Sequence, residues 1–341
     1  MNKQTQHHEA ELVDSFARTI SYLRLSLTDR CNLRCRYCMP EDKEEGLQML
    51  QHEDLLSYEE LLHVVNIVVG MGMNKLRLTG GEPLVRKGVM GFIGSLAAIE
   101  GLEEIRLTTN GVLLAEKAAG LYDAGIRKLN ISLDTMRPDR FKDITGVDLF
   151  HKVWQGIETA EAIGFDIKLN VVAMKGVNDD EFADFAKLAV EKPFQVRFIE
   201  FMPVGSRSTW EKDSYISSKE LQRIIGSMGR LEPLAGCRMD GPARVYSLTM
   251  DDGRTGKVGF ISPISHHFCD TCNRLRLTSA GTLRACLLHD READLKSLLR
   301  QGASDEELRS LIRQTILDKP KGHTLADDPA RCSGQMSRIG G

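Results

Sequence analysis

Six times between Tyr22 and Pro203 a short apolar run is followed by a longer amphipathic one. The alternation predicts strands at 22–26, 75–78, 104–108, 128–132, 166–172 and 195–200. Between them a 3.6-residue period predicts helices over 58–69, 89–99, 115–124, 150–163 and 181–190, with Gly70, Gly125 and Gly164 placed as C-terminal caps. Such β-then-α units require parallel strands with right-handed crossovers, hence an open or closed α/β barrel. After a polar stretch at 207–218, a smaller second part is expected. It holds helices over 219–228, 292–300 and 305–316, and β segments near 244–249 and 257–261.

In barrels of this kind the chemistry sits at the C-terminal ends of the strands. Each predicted strand ends in polar residues: Thr28 to Cys38, Thr79-Gly80-Gly81-Glu82-Pro83, Thr108-Thr109-Asn110-Gly111, Ser132 with Asp134, Asn170, and Glu200 to Met202. Six in series imply one shared cavity.

Cys31, Cys35 and Cys38 form a C-x3-C-x2-C set directly after the first strand. Three thiolates on one loop can hold three irons of a cubane cluster and leave the fourth open. With Tyr37 before the third cysteine, the spacing resembles the radical S-adenosylmethionine (SAM) superfamily. There the open iron chelates SAM, and one electron releases a 5′-deoxyadenosyl radical. Gly80-Gly81 suits close backbone approach to a ligand. Ser132 and Asp134 suit a nucleoside, and Met202 an adenine.

Cys269, Cys272 and Cys286 form a second set. It fits either a second iron–sulfur cluster or a structural zinc completed by His266, His267 or His289. Arg274 and Arg276 share one face of a strand and suit an anionic ligand beside a cluster. Cys237 and Cys332 lack metal-spaced partners and read as ordinary thiols.

The net charge of −3 over 341 residues gives no global reason to expect nucleic acid, so any anion site must be a local cluster. Arg24, Lys75, Arg77, Lys168 and Arg197 lie on separate predicted strands. Together with Arg274 and Arg276 they suggest a polyanion such as a nucleoside triphosphate. No Walker A loop is present, so side-chain cations would hold it. No window approaches a membrane span, and the polar start lacks a signal-peptide core. A cytoplasmic protein with no membrane partner is expected, its eight cysteines serving thiolate chemistry rather than disulfides.

With both cysteine sets placed, the chain resembles the GTP 3′,8-cyclase family of molybdenum cofactor biosynthesis from about residue 14 to the end. The motifs that carry this are Leu25-Ser26-Leu27-Thr28-Asp29-Arg30-Cys31-Asn32, Leu78-Thr79-Gly80-Gly81-Glu82-Pro83, Phe198-Ile199-Glu200-Phe201-Met202-Pro203, the Phe268 to Arg276 segment and the terminal Gly340-Gly341. The resemblance implies an incomplete (β/α)6 TIM-like barrel over 1–210, and a C-terminal domain over 211–335 carrying a second cluster. It also implies a tail over 336–341 that reaches the active site; without the family, that tail would read as an unimportant terminus.

Two [4Fe–4S] clusters are implied, on Cys31, Cys35 and Cys38 and on Cys269, Cys272 and Cys286, with SAM as cofactor. By the same resemblance Tyr37, Gly81, Ser132 and Met202 would contact SAM. Arg24, Arg77, Thr108, Lys168, Arg274 and Arg276 would bind GTP, and Arg24, Arg274, Arg276, Gly340 and Gly341 would serve catalysis. The implied reaction is abstraction of the ribose C3′ hydrogen of GTP and attack of C3′ on C8, giving 3′,8-cyclo-7,8-dihydro-GTP. Implied partners are a downstream cyclic pyranopterin monophosphate synthase, an electron donor such as flavodoxin, and a second copy in a homodimer. Two rivals stay open: a peptide-modifying two-cluster radical SAM maturase, and a zinc-stabilised nucleotide-binding protein.

Overall fold

The computed structural model describes residues 12–39, 49–205, 210–235, 241–323, 332 and 334–340. The barrel part runs β1 (Tyr22–Ser26), α1 (Tyr58–Gly70), β2 (Lys75–Thr79), α2 (Val89–Ala97), β3 (Glu104–Thr109), α3 (Leu114–Asp123), β4 (Lys128–Ser132), α4 (Pro138–Thr145), α5 (Phe150–Ile163), β5 (Asp166–Ala173), α6 (Phe182–Glu191) and β6 (Gln195–Glu200). There follow α7 (Ser218–Gly226), β7 (Gly229–Pro233), β8 (Arg244–Met250), β9 (Thr255–Ile261), β10 (Arg274–Leu277), β11 (Thr282–Arg284), β12 (Ala293–Asp294), α8 (Leu295–Arg300), α9 (Asp305–Leu317) and α10 (Met336–Ile339).

The twelve strands among the described residues form one sheet, in the order β12-β11-β10-β1-β2-β3-β4-β5-β6-β9-β8-β7. Strands β1 to β6 are consecutive and parallel, as the alternation predicts. The part after residue 211 extends this sheet on both edges, with β10 parallel to β1 and β9 parallel to β6. Local patterning holds no information about that pairing, because the partners are far apart in sequence.

Three helices differ from expectation, one of them α10, which forms within the stretch read as a tail. Helix α4 was not anticipated, although Pro138 at its first turn and Gly146 at φ 73° past its end are ordinary start and stop signals. Helix α8 starts later than residue 292, because Ala293–Asp294 pairs with β11 and the Asp294 side chain then caps the helix by accepting from Ser297 N.

The alternation along each strand sets the chemistry. One face carries Leu25, Leu78, Leu107, Leu129, Leu169 and Val196, all fully buried in the main core. The other face is polar and opens on a cavity. Across four neighbouring strands of that face Arg276, Arg24, Arg77 and Arg106 are successive register partners. A barrel filled for stability would place branched apolar residues there.

Candidate active site

The first cysteine loop leaves β1 and is fixed by its backbone. Arg34 N and Arg36 N donate to the carbonyls of Thr145 and Ile144 at 2.8 and 3.0 Å, so the end of α4 anchors it. Gly81 N donates to Thr28 O at 2.7 Å and Glu82 N to Arg30 O at 2.9 Å. A Cβ on Gly81 would fall 2.4 Å from Arg30 O, which explains the glycine. Glu82 is wholly buried and accepts from Thr109 Oγ1 at 2.9 Å, Asn110 N at 2.6 Å and Leu84 N at 3.0 Å. Burial pushes its carboxyl up to about 7 against those bonds. Glu82 therefore ties the β2 and β3 loops together.

Asn110 Nδ2 also donates to Asn32 Oδ1 at 2.7 Å and approaches Cys31 Sγ at 3.6 Å. Tyr37 OH donates to Asp134 Oδ2 at 2.7 Å, and Val172 N donates to Asp134 Oδ1 at 2.8 Å. Asp134, expected beside a nucleoside, thus anchors Tyr37; burial raises its carboxyl to about 6. Burial first, then neighbouring sulfur, pushes Cys35 well above the ordinary thiol range and Cys38 up to about 12. Three partly buried sulfurs that resist existing as bare thiolates fit an iron–sulfur cluster, whose irons would supply the missing positive charge.

The second set faces the same cavity of about 350 Å³ from the β10 side. Arg18 Nη1 donates to Cys269 O at 2.8 Å, and Lys319 Nζ donates to Arg274 O at 2.8 Å and to Ala285 O. Burial raises the Cys272 thiol, but Lys319 and Arg274 outweigh it and the net shift is downward. Of the histidines considered for zinc, His266 bonds to Arg244 and His267 packs edge-on against His323, 5.4 Å between rings.

Between the two sets lie the arginines. Arg77 donates to Tyr22 OH and, at 3.2 Å, to Thr108 Oγ1. Arg24 Nη2 and Arg276 Nη1 donate to the Gly340 carbonyl at 3.0 and 2.7 Å. Burial, then the neighbouring guanidiniums, holds Arg24 well below its ordinary value. The same two causes bring Arg276 to about 10 and Arg197 to about 9. Such depression marks buried cations crowded by like charge.

Of the residues singled out in the sequence, the six grouped cysteines, Tyr37, Gly81, Ser132, Met202, Arg24, Arg77, Thr108, Arg274, Arg276 and Arg197 line the cavity. Lys168 is not among the lining residues; it approaches Asp166 Oδ2 at 3.9 Å on the same strand. Lys75 is salt-bridged to Glu104 at 2.9 Å. Gly341 and Cys237 lie outside the described residues. The sequence reading missed Arg106 and Asn130, which period-2 counting back from Thr108 and Ser132 would have placed on the inner face.

Two family models match the chain: the radical SAM superfamily over residues 25–189 and Molybdenum Cofactor Synthesis C over residues 194–325. Fold and site therefore define a radical SAM enzyme. The chain is 49% identical to the GTP 3′,8-cyclase of Thermodesulfovibrio yellowstonii, over 96% of this chain and 99% of that protein. It is 47% identical to the GTP 3′,8-cyclase of Heliobacterium modesticaldum, over 97% and 100%. This chain belongs to the GTP 3′,8-cyclase family. Among solved structures it is similar in fold to Streptococcus suis SuiB bound to S-adenosylmethionine, with a TM-score of 0.60 and 13% identity over 93% of this chain and 77% of that one.

Proposed function

We propose that this chain converts GTP to 3′,8-cyclo-7,8-dihydro-GTP by radical SAM chemistry, the entry step of molybdenum cofactor biosynthesis. The observation that carries the reading is one cavity lined by both cysteine triads, with a row of arginines between them. When bound, a [4Fe–4S] cluster on Cys31, Cys35 and Cys38 together with SAM supplies the 5′-deoxyadenosyl radical. Tyr37, held by Asp134, and Gly81, Ser132 and Met202 position SAM. Arg24, Arg77, Thr108, Arg274, Arg276 and, deeper on β5, Lys168 hold GTP with its ribose C3′–H toward SAM. A radical takes the nearest hydrogen, so rigid placement decides the product. Cys269, Cys272 and Cys286 carry a second [4Fe–4S] cluster beside the guanine. The Gly340-Gly341 tail orients Arg24 and Arg276, whose charge assists the electron and proton transfer that completes cyclisation.

Arg274 and Arg276 on β10, which line the cavity with these cysteines, favour the second cluster over zinc, since they suit an anionic ligand beside a cluster and do not stabilise a zinc site. In functional terms residues 1–210 form the SAM barrel, 211–335 the second-cluster part and 336–341 the active-site tail. The product passes to a cyclic pyranopterin monophosphate synthase, a flavodoxin-like protein donates electrons, and the enzyme acts in the cytoplasm as a homodimer. Among the described residues no helix is long and apolar enough to cross a membrane.

The test is one anaerobic incubation of reconstituted protein with SAM and dithionite, with and without GTP, read by mass spectrometry. GTP-dependent deoxyadenosine and a cyclised product isomeric with GTP, separated from it by chromatography before mass analysis, are expected, with about eight irons per chain. Deoxyadenosine formation that ignores GTP would return the substrate to unknown. About four irons plus one zinc would sink the second cluster.

A further inference from the structure

Arg106 ends the row of arginines, and neither the sequence motifs nor the reading above gives it a role. Its register partners are Arg77 on β2 and Lys128 on β4. It is 4% exposed and lines the cavity. One of its amino groups meets Glu104 at 2.8 Å, but the same carboxylate also takes Lys75 at 2.9 Å and Lys128 at 2.7 Å. Three cations thus meet at one acid among the described residues.

The guanidinium itself is also incompletely satisfied. Arg106 Nε has no hydrogen-bond partner among the described residues, nor do Nε and Nη2 of Arg197. The two arginines are near enough for Arg106 to help depress Arg197. Burying unpaired guanidinium N–H groups among like charges is costly. A chain that keeps such groups on a cavity wall is complementary to an anion with several oxygens, which would bond both arginines at once.

We infer that Arg106 binds the terminal phosphate of the nucleotide and sets the preference for a triphosphate over shorter phosphate chains. The order of the row gives the position. Arg276 lies on β10 beside the second cysteine set, and Arg106 lies three strands away. At about 4.8 Å per strand this is roughly 14 Å, comparable with an extended nucleoside triphosphate. With the base at the β10 end, the last phosphate falls at β3. The inference rests on the proposed placement of the guanine beside Cys269, Cys272 and Cys286.

The experiment is equilibrium binding of GTP, GDP and GMP to the anaerobically reconstituted enzyme, comparing wild type with Arg106→Gln and Arg106→Lys. Iron content and thermal unfolding serve as controls on folding. Wild type should prefer GTP. Arg106→Gln should weaken GTP roughly tenfold or more while GMP changes by less than about threefold, so the discrimination between them collapses. Arg106→Lys keeps a charge facing Glu104 and should keep the fold and an intermediate preference. Were Arg106 merely an ion-pair partner of Glu104, all three nucleotides would weaken together, and that result overturns the inference. Unchanged GTP binding in Arg106→Gln overturns it alone. Failure of wild type to bind GTP removes the parent reading and this inference with it.

Discussion

The carbonyl oxygen of Gly340 lies 2.7 Å from Nη1 of Arg276, a residue 64 positions earlier in the chain. The same oxygen accepts from Arg24 Nε and Nη2 at 3.2 and 3.0 Å. One backbone dipole therefore sits between a buried guanidinium, Arg276, and a partly buried one, Arg24, that otherwise repel each other. Gly340 reaches this point at φ 70°, with its α-carbon packed against Thr79 and Ser26.

Gly340→Ala tests that contact. The new methyl would fall 2.3 Å from Thr79 Oγ1, in a backbone region that disfavours side chains. The tail should leave its seat at a cost of about 1–3 kcal/mol. Cyclised product should fall at least roughly tenfold while iron content stays that of wild type. Wild-type turnover would show that the tail is a bystander.

Gly81→Ala probes the other end of the cavity. Its Cβ would meet backbone atoms of Asp29 and Arg30 at 2.4–2.8 Å, and backbone cannot swing aside as a side chain can. The first cysteine loop should be displaced, with iron dropping from about eight to about four per chain and deoxyadenosine formation lost. Full iron loading would refute the proposed dependence of the loop on this glycine.

Arg284→Met tests a buried hub. Arg284 donates to Glu292 at 2.7 Å, to His289 O at 2.7 Å and to Cys332 Sγ at 3.2 Å. It thereby joins the loop after Cys286 to the segment that leads into the tail. Its acidic partners remain partly exposed and can rehydrate, so the loss should be about 2–3 kcal/mol rather than the larger cost of a stranded buried charge. Denaturant titration measures that loss, and an increased release of second-cluster iron to a chelator should accompany it.

The pH dependence of stability follows from carboxyls with opposite shifts, Glu82 and Asp134 upward and Glu104 downward. Glu82 is thus one of two groups whose contribution falls as pH rises. Burial raises Glu82 to about 7, so the folded chain holds this proton where the unfolded chain has lost it. Stability from this group is full below its ordinary 4.5 and falls as pH rises through 7, by at most about 3 kcal/mol. Glu104 lies at about 2, because Lys128, Arg106 and Lys75 together outweigh burial, so its contribution is lost as pH falls from 4.5 toward 2. Unfolding free energy should decline between pH 5 and 7, and Glu82→Gln should flatten that decline. A flat wild-type profile would contradict it.

The sequence made the inner face of the barrel legible wherever polar residues alternate with leucine, as in Tyr22-Leu23-Arg24 and Lys75-Leu76-Arg77. Arg106 escaped because Glu104, two residues away, makes it look locally paired. That this acid is shared shows only once Lys75 and Lys128 claim the same carboxylate. Asp134 lines the cavity and has a further task, since nothing in the sequence says that Tyr37 would reach it. Gly340 was legible only through the family, because its partners come from distant strands. The flanking of the barrel by β9 and β10 is a matter of long-range register, which local periodicity does not encode.

The pairing of β1 with β10 also has a consequence for biosynthesis. Residues 22–25 are bonded to residues 274–277, roughly 250 positions later. At about 5–20 residues per second, the ribosome takes roughly 12–50 seconds to deliver that partner. Throughout the interval one edge of the first strand, and the cysteine loop it carries, stands open. An unpaired strand edge is a template for the wrong partner, so that interval is when the growing chain is most open to mispairing.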